Sequence, residues 1–213
     1  AAARLAASGL LGALRHMDLA NFAAGLELPE DHWFWDKRRS GGIWVEHGVH
    51  FFDAFAWVAG TEGQILAAQS YRRVDGPVDR VEALARFGDA AAHFYHGFDR
   101  SSRSEHTTAR LAFADADLVL REWVPTSIEI VTDVPQELVP YLPSDLPHVI
   151  EAQGERWRIR CHEPRGKSIV YRECIQAGMR DLVQSLCDPQ HATVVQPAHA
   201  LASLRMALAA DAG

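Results

Sequence analysis

Cysteine is scarce in this chain. Cys161, Cys174 and Cys187 are the only three among 213 residues, and no two of them form a C-x-x-C pair. An odd count without paired spacing excludes a disulfide framework and a cysteine metal site, and it points to reduced thiols in a cytoplasm. Cys174 and Cys187 are expected to pack in the interior. No apolar run reaches the length that spans a bilayer. The opening run Ala1 to Ser8 lacks the charged start and long apolar core of a signal peptide. Positive charge is in deficit: 21 Lys and Arg against 28 Asp and Glu leave a net charge of -7. That balance argues against nucleic-acid and anionic-membrane partners. There is no G-x-G-x-x-G after a strand, no H-E-x-x-H, no internal repeat and no low-complexity segment.

What is present is ordinary for a soluble globular chain: 48% hydrophobic and 23% charged residues. The length suits one domain with a real core, taken as residues 1–213.

The most informative stretch runs from Ser40 through Gly41, Gly42, Glu46, Gly48, His50, Asp53 and Trp57 to Gly60. It reads as a helix from about Gly42 to Ala59. Each helical residue turns by about 100°, so Glu46, His50 and Asp53 share one narrow stripe, with Trp57 below them. The other positions are nearly all apolar, among them Ile43, Trp44, Val49, Phe51, Phe52 and Phe55, so the helix should be buried on most sides. Charged groups do not enter an apolar core unpaired, because desolvation costs several kcal/mol each. Either Glu46 and His50 satisfy one another in the core or they line a cleft. Ser40 is a candidate N-cap, and Gly41 and Gly42 permit a close backbone approach.

This block resembles the second domain of the Gfo/Idh/MocA oxidoreductases, whose usual text is close to G-G-G-x-x-x-D-x-G-x-H-x-x-D. The match runs through Gly41, Gly42, Glu46, Gly48, His50, Asp53, Trp57 and Gly60, and the rest of the chain fits in order. The resemblance implies an α+β fold, a large mostly antiparallel sheet with helices packed on one face. It also implies NAD or NADP as cofactor, bound mainly by a Rossmann domain upstream. Since the chain does not begin with methionine and has no dinucleotide fingerprint, it is expected to be a fragment lacking that domain and its E-K-P lysine. A fragment of this kind should be inactive by itself. The implied substrate is a sugar, polyol or related hydroxy compound. The other sheet face needs a cover, and a homodimer or homotetramer through it is expected.

Oxidising an alcohol requires a hydride acceptor and a base for the hydroxyl proton. Histidine suits the base, and a carboxylate one turn away can orient it. Carried over from the family, His50 is the proton-transfer residue and Glu46 its orienter or a substrate ligand, although the family commonly has aspartate at the Glu46 position. Gly41 and Gly42 are candidate cofactor-facing residues. Trp33 and Trp35, on a loop expected from Glu27 to Arg39, can floor a sugar ring or cap the core. Arg38, in the run Lys37-Arg38-Arg39, is a solvated face or an anion contact. Tyr95 is a candidate substrate contact on the same strand face as His93, with His96 on the other. One of His93, His96 and His106 is a candidate to reach the cleft. Asp53 is expected to pair with an arginine or cap a neighbouring element. A metal shared by Glu46, His47 and His50 is disfavoured because His47 points about 100° away from Glu46, and no metal is expected. The competing reading is a non-catalytic domain of the same fold that binds a ligand or partner.

Along the rest of the chain, a helix ends at Gly9 and a strand spans Gly12 to Phe22, with Met17, Leu19 and Asn21 sharing one face. Strands follow at 65–74, 80–87, 91–98, 106–113, 117–124 and 127–131, spaced about 10 residues apart as in a meander. Residues 135–147 carry four prolines and read as an irregular excursion or a short helix. Arg156 to His162 reads as an edge strand with guarding arginines. Helices at 169–186 and from Pro197 to Ala209 are both expected to face the core. On the second, Ala200, Leu201, Leu204 and Leu208 form the inward face. Trp123 reads as a sheet or interface anchor.

Overall fold

The computed structural model describes residues 1–144 and 146–213; Asp145, inside the proline-rich stretch, lies outside them. In chain order the elements are α1 (Ala2–Ala7), β1 (Leu14–Ala24), a 3-10 turn (Trp33–Trp35), α2 (Lys37–Ser40), a π-helical turn (Trp44–Gly48) and α3 (Val49–Ala59). Then come β2 (Gly63–Arg72), β3 (Val78–Phe87), β4 (Ala90–Arg100), β5 (His106–Phe113), β6 (Ala116–Arg121) and β7 (Ser127–Thr132). The chain closes with α4 (Pro135–Leu138), β8 (His148–Gln153), β9 (Arg156–His162), α5 (Lys167–Cys187) and α6 (Pro197–Ala212).

The strands form one nine-stranded sheet in the order β2-β3-β4-β1-β5-β6-β7-β9-β8. Among the described residues only β1 and β4 run parallel; every other pairing is antiparallel. The N-terminal strand therefore lies in the middle, between β4 and β5. Strand β9 is interior, contrary to the edge assignment, because β8 pairs outside it. The alternation of β8 is weak and it follows Pro147, so it escapes a sequence reading. Guarding arginines become ladder partners instead: Arg158 meets Glu129 at 3.6 Å and Arg160 meets Glu151 at 2.7 Å.

One sheet face is covered by α1, α3 and α6. Period-2 alternation sends Met17, Leu19, Val81, Ala83, Phe87, Phe94 and Leu111 to this side. They meet Trp44, Phe52 and Phe55 from the central helix, with Phe52 and Phe94 ring centroids 4.7 Å apart. The buried stripe of that helix is Trp44, Gly48, Phe52 and Phe55. Gly48 is required there, since a Cβ would sit 2.6 Å from a ring carbon of Trp44.

Helix α6 does pack inward, but through Ser203, Met206, Ala207 and Ala210, while Leu201, Leu204 and Leu208 face outward. The reason is close approach. An added Cβ at Gly63 would meet Met206 at 2.6 Å, so only small or flexible residues fit this contact. Helix α5 departs further from expectation. None of its residues is buried, and Ile175, Met179, Leu182 and Leu186 are exposed. Cys174 and Cys187 are exposed with it rather than packed; the buried thiol is Cys161, whose pKa burial raises.

Candidate active site

Ser40 closes α2 and its hydroxyl accepts from the Gly42 amide at 3.0 Å. Gly41 and Gly42 both take positive φ, 81° and 88°, a region open to glycine and strained for other residues. The chain reverses there and enters the π-helical turn. The wider i→i+5 turn holds one residue more than an α turn, a device often found at functional sites. From it emerge Glu46 and His47, and His50 follows on the first turn of α3.

Glu46 and His50 occupy the stripe away from the core, with half-buried Asp53 and exposed Trp57 further along. His50 is exposed and Glu46 half-buried. Among the described residues, neither side chain makes a hydrogen bond or ion pair. The two do not satisfy one another in a core; both stand on the outer stripe of the helix. Asp53 likewise has no arginine partner or capped amide among the described residues.

His47 lies on the other flank of the buried stripe, over the sheet. Its Nε2 is 3.1 Å from Asn21 Nδ2, and Asn21 Oδ1 accepts from the Thr107 hydroxyl at 2.7 Å. Strand register creates this cluster: Asn21 is the partner of His96 on one side and of Thr107 on the other. His96 is fully buried, and neither of its ring nitrogens has a partner among the described residues. The His47 ring stands at right angles to His96 and Phe98, with centroids at 5.4 and 5.2 Å. Burial, reinforced by charge on His50, lowers the His47 pKa from 6.5 to about 4. Burial, followed by His47, also pushes His96 well below its ordinary value. The sequence reading passed over Asn21 and Thr107. One signal was available: Asn21 stands in phase with Met17 and Leu19, a polar group at a core position.

The remaining candidate residues divide. Trp35 borders a cleft of about 230 Å³ whose other walls include Lys37, Ser40, Gly42, Arg72 and Asp211. The Arg73 guanidinium lies 4.9 Å from the Trp35 ring centroid. Phe34 between the two tryptophans caps the core against Phe98 at 4.6 Å, while Trp33 is exposed. Arg38 is exposed, its backbone amide donating to Asp36. The Gly41 amide donates to the Lys37 carbonyl and the Gly42 amide to Ser40, so neither amide is free for an anion. Tyr95 lies on the opposite face of the sheet beside Phe22 and is not brought to Glu46 and His50. His93, bonded to Asp18 at 3.0 Å, is on that face too. The sheet also separates His106 from the site, its ring stacked on Phe22. Among the described residues no three His, Cys, Asp or Glu converge as a metal set, and no helix is long and apolar enough to cross a membrane.

The family model for the GFO/IDH/MocA C-terminal domain matches residues 1–114, and the chain belongs to that family. A search of curated proteins finds no match. Among solved structures, an oxidoreductase domain protein from Kribbella flavida is similar at 18% identity and TM-score 0.73, covering 99% of this chain and 59% of that one. An NAD binding oxidoreductase from Klebsiella pneumoniae gives 14% identity and TM-score 0.74, with the same coverage of 99% and 59%. Levoglucosan dehydrogenase in complex with NADH and L-sorbose gives 16% identity and TM-score 0.70, covering 99% of this chain and 58% of that one. The chain thus spans under two thirds of the length of these structures, and at such identities the likeness is one of fold.

Proposed function

We propose that the chain is the substrate-binding and oligomerisation part of an NAD(P)-dependent oxidoreductase that acts on a sugar, polyol or related hydroxy compound in the cytoplasm. One observation carries this reading: among the described residues, Glu46 and His50 stand without hydrogen-bonding or ionic partners on the outer stripe of a helix whose opposite stripe is sealed in the core. An exposed imidazole beside a carboxylate can accept a hydroxyl proton, and the carboxylate can hold a neighbouring hydroxyl in place.

A nicotinamide cofactor would be held mainly by the part of the relatives' length that this chain does not span. A Cβ added at Gly42 would touch Asp211 at 3.4 Å and the Lys37 side chain at 3.9 Å, so the helix start is flanked by this ion pair. Because both glycine amides are already bonded, Gly41 and Gly42 would contribute surface rather than donors. A bound nicotinamide supplies the hydride acceptor. His50 takes the substrate hydroxyl proton, and Glu46 orients the sugar or the imidazole. Trp35, with Trp33 and Arg38 at the rim, would contact the remainder of the substrate. The open sheet face, with exposed Leu84 and Val149 among its ion pairs, is our surface for a homodimer or homotetramer.

The test uses the full-length protein. Nucleotide titration is followed by NADH absorbance over levoglucosan, L-sorbose, D-glucose and D-sorbitol. Turnover should fall by about 100-fold or more in His50→Ala, the usual range for a lost general base. Unchanged turnover in that variant, or failure to bind either nucleotide, would overturn the reading.

A further inference from the structure

The second histidine of the central helix has an asymmetric environment. Nε2 of His47 is engaged by the Asn21 amide, and Asn21 is itself held by the Thr107 hydroxyl. Nδ1 of His47 has no partner among the described residues, yet it is absent from the polar atoms sealed from solvent. The ring cannot swing away, because Phe51, Phe98 and His96 surround it at centroid distances of 5.2 to 5.4 Å. His96, by contrast, has both ring nitrogens sealed from solvent. In His47 one nitrogen is anchored and the other is left open, on the residue three before His50, a neighbouring position on a helix.

A donor on Asn21 requires a lone pair on Nε2, which places the ring proton on Nδ1. We propose that His47 is a specificity-determining residue of the same site: its Nδ1–H donates a hydrogen bond to a hydroxyl or carbonyl oxygen of the substrate lying against Glu46 and His50. This inference rests on the oxidoreductase reading above. Its role differs from that of His50. Burial keeps His47 neutral near pH 7, so it offers a fixed neutral donor and takes no part in proton transfer. Such a donor favours substrates that carry an oxygen at this position. A substrate without one would leave the donor stripped of water and unpaired, which costs binding.

Two measurements on the full-length protein test this. Two-bond proton–nitrogen correlation on histidine-labelled protein at pH 7 should show the His47 proton on Nδ1; a proton on Nε2, or on both nitrogens, overturns the proposal. Steady-state kinetics use whichever of levoglucosan, L-sorbose, D-glucose and D-sorbitol the wild type oxidises fastest. His47→Phe, which keeps the aromatic packing, should raise KM by about 10-fold or more with kcat nearly unchanged, and His47→Gln, which keeps a donor, should recover part of it. An unchanged KM in His47→Phe, with wild-type turnover intact, sinks this inference alone. Absence of wild-type turnover across the panel sinks the oxidoreductase reading and this inference with it.

Discussion

Two amphipathic helical segments of the chain meet different fates. The π-helical turn and α3 together bury Trp44, Gly48, Phe52 and Phe55 against the sheet and expose Glu46 and His50 on the reverse. Helix α5 carries an equally regular apolar stripe, yet buries nothing. It is held near its start, where Tyr171 packs on Trp123 at 5.6 Å and Arg165 bonds Glu163 and Glu173. A groove of about 560 Å³ lies between α5 and the loops at Pro125 and Pro143. Periodicity specifies that a helix has an apolar face; it does not specify that anything lies against it. The difference also separates their roles. A rigidly packed helix can hold reacting groups in place, whereas α5 contributes little to fixing the site.

Truncation should expose that contrast most strongly. Phe52→Ala should cost about 3–5 kcal/mol in denaturant unfolding, while Leu182→Ala on α5 should stay within about 0.5 kcal/mol. A comparable loss at Leu182 would mean that α5 is covered in solution. Acid should come next. The folded pKa of His47, about 4, lies below its unfolded value of 6.5, so between these the unfolded chain binds a proton that the folded chain refuses. Stability should therefore fall as pH drops from 6.5 towards 4, by about 3 kcal/mol at most from this residue, with His96 adding in the same direction. Above pH 6.5 neither contributes. Near α5 the direction is the same but the window is lower. The Arg165 guanidinium lowers the Glu163 pKa to about 2, so that stabilisation is complete above 4.5 and fades only as pH falls towards 2. Thermal melts from pH 7.5 to 4 should show the acid limb above pH 4, and His96→Leu should flatten it. The smallest effect belongs to the exposed Lys37–Asp211 pair at 2.6 Å. Lys37→Ala should change stability by under about 1 kcal/mol, and less in high salt.

Much of the architecture could be read from local pattern. Alternation placed Met17, Leu19 and Asn21 on one face of β1, and the spacing from Ile65 to Val131 marked six strands within two or three residues of their observed bounds, although β1 interrupts the expected meander between β4 and β5. The sheet face and the helix stripe at Glu46, His50 and Asp53 were equally legible, because they repeat with the period of their own element. The expectation failed where a partner decided the outcome. Strand β9 lost its edge to β8. The leucines of α6 were displaced from the core by Ser203, Ala207 and Ala210, since the tight approach of α6 to α3 and β2 favours small side chains over hydrophobic ones. Tyr95 shares a strand with His96 but stands across the sheet from the helix.

The family resemblance of the Ser40–Gly60 block implied the class of fold. The sequence by itself determined most strands, the long helices and the presence of an acid and a histidine one turn apart after two glycines. These follow from spacing along a single element and need no knowledge of neighbours. Only the tertiary structure decided that His47 is a locked neutral ring. Its environment comes from Asn21, His96 and Thr107, residues 26 to 60 positions away, and they meet because strand register places β1 between β4 and β5.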